Sequence, residues 1–338
     1  MFPKILHALP FIALAVSASV CTAQVPSPAR SYAISGSVHN DRSDEPILDA
    51  RVLLLGELGN VVHPVVLTDR NGEFALGQFR PGEYDLVAER DGYSQVRLRV
   101  DITRHDELNL VIRLRADLKA TSPGGNLTSA HDLSIPKKAR EAFDKGVVDM
   151  TSNGDYLGAL EDFRRAASIY PGYYEAYAQM GVAYVTIKNF EAAETALRKS
   201  IALSSNKYLP PLLLLSMVLN DLNRPVDAEP TARQATLTDP KAWRGRYELA
   251  RALLNLNHIE EAESSAHAAR DLKPESPEVY LLLGEIHRRT NNAQALLQDF
   301  DTYLRLAPEG QAAPEVRRLR EQLLARLQTQ SNPKPNPE

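Results

Sequence analysis

The chain has 338 residues, 43% of them apolar and 24% charged, with a net charge of −4. Such a length suffices for two or more domains, each with its own core. The near-neutral balance excludes a strongly basic nucleic-acid binder and gives no reason to expect a charge-driven membrane-surface protein.

Residues 1–23 read as an export signal. Lys4 supplies a short positive region, Ala8 to Val20 is apolar, and Cys21-Thr22-Ala23 offers small residues for cleavage before Gln24. The apolar run is too short to cross a hydrocarbon layer of about 30 Å as a helix. The processed chain is therefore expected to be periplasmic or secreted, with no transmembrane segment. A lipid anchor on Cys21 is the alternative, although Val20 stands where such sites want a small residue. Cys21 is the only cysteine, so the processed chain would hold no disulfide, thiol nucleophile or cysteine metal site.

Residues 31–116 read as all-β. Candidate strands are Tyr32 to Asn40, Ala50 to Gly56, Val61 to Thr68, Glu73 to Phe79, Glu83 to Ala88, Gln95 to Ile102 and Leu108 to Leu114. Val96, Leu98, Val100 and Ile102 alternate with Arg97, Arg99 and Asp101, as a half-buried strand requires. Seven short strands separated by turn residues predict a small antiparallel sandwich. The succession Ile34-x-Gly36-x-Val38, Ala50-Arg51-Val52, Thr68-Asp69-x-Asn71-Gly72-x-Phe74, Pro81-Gly82-x-Tyr84 and Gly92-Tyr93 resembles the carboxypeptidase regulatory-like domain, a transthyretin-like sandwich. The resemblance implies that Asn-Gly and Pro-Gly serve β-turns and carry no chemistry. A zinc carboxypeptidase would need a separate α/β body, and no such alternating pattern follows.

Residues 117–134, rich in Ser, Pro, Gly and Thr, read as a flexible linker. From 135 to 310 the period becomes helical. Asn189, Asn223, Asn257 and Asn291 lie 34 residues apart, with Asp155 one step earlier, and Pro171, Pro240, Pro274 and Pro308 are spaced 69, 34 and 34. Five rows align on small residues at steps of 12, 4, 3 and 5. They run Val147, Ala159, Phe163, Ala166, Pro171; then Gly181, Ala193, Leu197, Ser200, Ser205; then Ser216, Ala228, Ala232, Ala235, Pro240. The last two are Ala250, Ala262, Ala266, Ala269, Pro274 and Gly284, Leu296, Phe300, Tyr303, Pro308. With Tyr177, Tyr184, Leu249, Tyr280 and Leu283 at bulky slots, these rows resemble the tetratricopeptide repeat (TPR). That resemblance implies an all-α solenoid of about five two-helix units. Leu296 and Tyr303 replace small residues and suggest looser packing in the fifth unit. Pro210-Pro211, Pro225 and Pro230 are expected in first helical turns. A capping helix is expected over 311–329 and a disordered tail over 330–338.

No catalytic constellation emerges, and no cofactor or metal is expected. His258-Ile259-Glu260-Glu261 falls in a turn with no second histidine at metal spacing, and Asp69-Arg70-Asn71-Gly72 lacks the further carboxylates of a calcium loop. Helical spacing leaves one candidate surface, the groove lined by the first helix of each unit. Arg244, Tyr247, Arg251 and Asn255 form one stripe, Leu281, Glu285 and Arg288 the next, and Leu213, Met217 and Asn220 a third. These residue types suit a protein or peptide segment of acidic character. The sequence thus points to an exported, non-enzymatic scaffold or adaptor, with its oligomeric state open. The alternatives are a glycan- or surface-binding envelope protein in which the sandwich binds and the repeats oligomerise, or an accessory subunit of an envelope enzyme.

Overall fold

The computed structural model describes residues 32–90, 92–103, 107–116 and 134–331. The expected export signal, the linker up to residue 133 and the tail from residue 332 lie outside the described residues. Seven strands come first: β1 (Tyr32–Asn40), β2 (Arg51–Leu55), β3 (Val61–Leu67), β4 (Glu73–Phe79), β5 (Glu83–Glu89), β6 (Val96–Asp101) and β7 (Glu107–Leu114). They form a three-stranded sheet ordered β4-β1-β7 and a four-stranded sheet ordered β3-β2-β5-β6. Ile34, Val38, Val52, Leu54, Leu76, Leu86, Ile112 and Leu114 are buried together in one hydrophobic core. One expectation fails: the sandwich is not wholly antiparallel, because β1 and β7 run parallel. Alternation specifies which face of a strand is buried, not which strand lies beside it.

The sequence motifs of the sandwich have mechanical roles. Thr68 Oγ1 donates to the Ile47 carbonyl at 2.5 Å and accepts from Ala50 N at 2.8 Å, tying down the segment before β2. Asp69 Oδ1 accepts from Asn71 N and Glu73 N at 2.9 and 2.8 Å, so the Asp-Arg-Asn-Gly run is a side-chain-braced turn. Gly72 sits there at φ +74°, and a Cβ would stand 2.6 Å from the Val38 carbonyl oxygen. The Tyr84 hydroxyl donates to the Arg80 carbonyl across the Pro81-Gly82 turn.

Eleven α-helices follow among the described residues. They are α1 (Lys137–Val148) packed on α2 (Tyr156–Ile169), α3 (Tyr174–Thr186) packed on α4 (Phe190–Leu203), then α5 (Leu209–Asp221) followed by α6 (Pro225–Thr238). The remaining pairs are α7 (Trp243–Asn255) with α8 (Ile259–Leu272) and α9 (Pro277–Arg289) with α10 (Ala293–Leu306), before a final α11 (Ala313–Ser331). The first four slots of every aligned row are buried. Their smallness is steric: a Cβ on Gly181 would stand 2.4 Å from Leu197 Cδ2 on the partner helix. The fifth unit is not loosely packed, because Leu296, Phe300 and Tyr303 are at most 4% exposed. Their bulk is taken up by Ala313, Val316, Leu319 and Leu323 of α11. Pro210, Pro211 and Pro225 do lie in first turns, but Pro230 falls inside α6, next to exposed Val226.

The 34-residue ladder turns out to join two different turn positions. Asp155 and Asn189 are N-caps whose side chains accept from the backbone N–H of Gly158 and Ala192. Asn223, Asn257 and Asn291 instead hold the left-handed residue just before the cap, at φ 54°, 63° and 57°. The offset of one residue arises in the α4–α5 connection at 204–208, five residues long where 239–242 and 273–276 have four. Ser205 and Asn206 both take positive φ there. After each such bend the next amide reaches back five residues, as in His258 N to the Leu253 carbonyl at 2.9 Å, closing the helix end. Asn257→Ala should destabilise by about 1–2 kcal/mol, because only glycine and asparagine visit the left-handed region readily. Asn257→Gly should be close to neutral; equal losses for both in urea unfolding would refute this backbone origin.

By its internal contacts the chain divides inside α5, one compact unit ending at Leu215 and the other beginning at Ser216. In the first unit, β3 is the edge of its sheet and lies against α1. Buried Gln179 on α3 donates to the Val61 carbonyl at 2.7 Å, satisfying a group that an edge strand leaves unpaired. Pro64, which cannot donate to a ladder, sits in this same edge strand. Asp144 on α1 is half-buried, and desolvation pushes its carboxyl up to about 6. An unfolded aspartate titrates near 3.9, so the folded state is relatively favoured when this group is protonated, and that advantage is lost as pH rises through 6. Asp144→Asn should therefore stabilise by about 1–2 kcal/mol at pH 7.5, the shift being discounted for partial solvent access, and by little below pH 4. Denaturant melts at both pH values check the sign.

Candidate interaction surface

The second unit carries the candidate surface on the first helices of its repeats. The C-terminal turns of α5 supply Met217, Asn220 and Asp221; α7 supplies Arg244, Tyr247, Glu248, Arg251 and Asn255; α9 supplies Leu281, Glu285, Arg288 and Arg289. The 3.6-residue repeat puts each set on one helical stripe.

Between α5 and α7 the stripe is a closed ion network. Arg251 Nη2 donates to Asp221 Oδ1 at 2.7 Å and Nη1 to Glu248 Oε2 at 3.0 Å. Asn220 Nδ2 donates to the same Glu248 Oε2 at 2.8 Å and to the Glu248 carbonyl at 2.9 Å. Burial pushes the Glu248 carboxyl upward, and Arg251 opposes it. On α9, Arg288 grips Glu285 with two hydrogen bonds of 2.8 Å, and Arg289 Nε adds a third at 3.0 Å. Arg289 also donates to the Leu254 carbonyl of α7 at 2.8 Å. Arg244 lies 4.6 Å above the Trp243 ring and 3.9 Å from Glu278.

These positions revise the surface expected from spacing. Asn220, Tyr247, Arg251 and Glu285 are buried, as is Leu213 in the first unit, so none stands out as a free contact. Met217, Arg244, Leu281 and Arg288 are half-buried and Asn255 is exposed. Nor is the stripe basic: Arg244, Arg251, Arg288 and Arg289 are matched by Asp221, Glu248, Glu278 and Glu285. Helical spacing shows which residues share a face but not that they neutralise one another, so the inferred preference for an acidic segment has no electrostatic basis. The Asp221–Arg251 contact joins residues 30 apart on different helices, which spacing along one helix does not reveal.

A further cluster, on α8 and α9, is not apparent from spacing along either helix alone. Glu263, His267 and His287 each offer a ligand atom within 4.8 Å of the others. The legible signal was Glu263 and His267, one turn apart on α8; His287 joins them only through tertiary packing. His258, the histidine weighed from sequence, is the exposed N-cap of α8.

Family models match in two blocks. The carboxypeptidase regulatory-like domain matches residues 33–115. Tetratricopeptide repeat models match residues 150–203, 213–264 and 247–310. The chain is a regulatory-like sandwich followed by tetratricopeptide repeats. Among curated proteins, none matches its sequence. Solved structures similar to it include MamA (41–end) from Desulfovibrio magneticus RS-1, 20% identical, covering 53% of this chain and 99% of that one at a TM-score of 0.48. Another is YrrB, described as a TPR protein with an unusual peptide-binding site, 18% identical, covering 56% and 97% at a TM-score of 0.47.

Proposed function

We propose that this protein is an exported, non-catalytic scaffold whose repeat helices hold a segment of another protein. The observation that carries the reading is the in-register stripe on α5, α7 and α9, where the charges are paired within the protein and half-buried Met217 and Leu281 and exposed Asn255 are the accessible uncharged groups. A charge-balanced stripe with apolar points suits an amphipathic segment that docks through apolar anchors. YrrB's described peptide site is consistent with such use of a TPR array.

The test is affinity capture from envelope extract by the full chain, in parallel with Leu281→Arg and Asn255→Arg variants of unchanged circular dichroism. Specific partners should be lost from both variants and retained between roughly 50 and 200 mM salt, because few free charges are there to be screened. An unchanged partner set in both variants would refute the surface. Export rests on Lys4, the apolar run and Cys21-Thr22-Ala23. N-terminal sequencing of the mature protein should begin at Gln24, and retention of Met1 would refute cleavage.

A further inference from the structure

Glu263 and His267 stand one turn apart on α8, and His287 lies on α9, which packs against it. Glu263 Oε1 is 3.3 Å from His287 Nε2 and 3.8 Å from His267 Nε2. A tetrahedral cation with bonds of about 2.0–2.2 Å holds its ligand atoms roughly 3.3–3.6 Å apart, so these two distances are close to ligating size, and all three ligand atoms lie within 4.8 Å of one another. The other nitrogen of His287, Nδ1, is 2.6 Å from Asp299 Oδ2 on α10. A carboxylate on one imidazole nitrogen fixes the tautomer and directs the lone pair of the other nitrogen outward, here toward Glu263. His267 faces Glu263 with Nε2, while its Nδ1 is buried without a hydrogen-bond partner. His287 is 7% exposed while the side chains of Glu263 and His267 are 36% and 37% exposed, which leaves one quarter open to water.

A purely internal explanation exists: a protonated His287 could bridge Asp299 and Glu263. It leaves the His267 ring, 6.3 Å from that of His287, with no role. A shared ligand gives all three groups a role.

We propose that Glu263, His267 and His287 bind one divalent transition cation of the zinc class, with Asp299 orienting His287 and water completing the shell. Two imidazole nitrogens and one carboxylate oxygen suit zinc, and not the all-oxygen shells of calcium or magnesium. The cation ties the second helix of the fourth repeat to the first helix of the fifth.

The test uses the untagged full chain, stripped with chelator and titrated with Zn²⁺ by calorimetry, with Co²⁺ as a visible-absorbing probe. One equivalent should bind at micromolar affinity or better, and zinc should raise the melting temperature. His267→Ala and Glu263→Gln, both at partly exposed positions, should weaken binding at least tenfold with unchanged circular dichroism. Asp299→Asn should weaken it about 10- to 100-fold, as loss of an orienting carboxylate does. Should His267→Ala lose helical signal, Glu263→Gln decides. Failure of the wild-type chain to bind zinc, or binding that survives both ligand substitutions, overturns the site.

Discussion

Arg251→Met should destabilise the C-terminal unit by about 3–5 kcal/mol, the cost of stranding a buried charge when its partner is removed. Arg251 is 8% exposed and stands between Asp221 and Glu248, and Glu248 itself is 2% exposed. Methionine fills a similar volume but leaves the Glu248 carboxylate with the neutral amide of Asn220 as its hydrogen-bond partner and no charge in contact. The Glu248 carboxyl is already pushed upward by burial, and without Arg251 it must rise further. A raised folded-state pKa favours the folded protein only while the group is protonated. The deficit of Arg251→Met should therefore shrink as pH falls toward the unfolded glutamate value near 4.3, and be full at neutral pH. Adding Glu248→Leu should restore much of the loss, since a buried pair replaced by apolar groups is often neutral. Urea unfolding at pH 5 and 7.5 measures all three quantities. A loss under 1 kcal/mol, or a double variant no better than the single, would show that the network is not what holds α5 to α7.

The same network changes how binding variants are read. Charge reversal at Arg251 would disturb the fold along with any docked segment, so loss of a partner from that variant could not be assigned to the surface. Leu281 and Asn255 are uncharged and take no part in the network, so variants there separate the two effects.

How much was legible follows from the range of each interaction. Strands and helices repeat at periods of 2 and 3.6, so faces, core positions and the five aligned rows could be read from spacing alone. The parallel β1–β7 pair could not, because residues more than 70 apart choose partners by closure of the whole sandwich. The extra residue at 204–208 was present in the sequence as the step from Ser200 and Ser205 to the third row. A fixed count of 34 between asparagines hid it, since Asn occupies N-cap and left-handed positions alike. The candidate cation site illustrates the same limit. Its α8 half is a one-turn Glu–His pair, while His287 and Asp299 arrive through the packing of α9 and α10.

Phe163→Ala should cost about 3–5 kcal/mol, the range for removing a fully buried aromatic side chain. Phe163 is 0% exposed; its ring lies 5.6 Å from that of Phe143, which stacks at 5.0 Å on Tyr173. Gly146 is small so that α1 can pass over this ring, because a Cβ there would stand 2.8 Å from it. The glycine leaves no side chain that could swing in to fill the cavity, which places the cost toward the upper end. In a repeat array each unit is held chiefly by its neighbours, so the damage should begin in α1 and α2. It should then reach the sandwich, since β3 rests on α1 and Gln179 of α3 caps the Val61 carbonyl. Hydrogen exchange should speed up in α1, α2 and β3 while α7 to α10 keep their protection. If β3 keeps full protection as α1 opens, the edge strand is stable without the repeats, and the sandwich owes nothing to the helices that it touches.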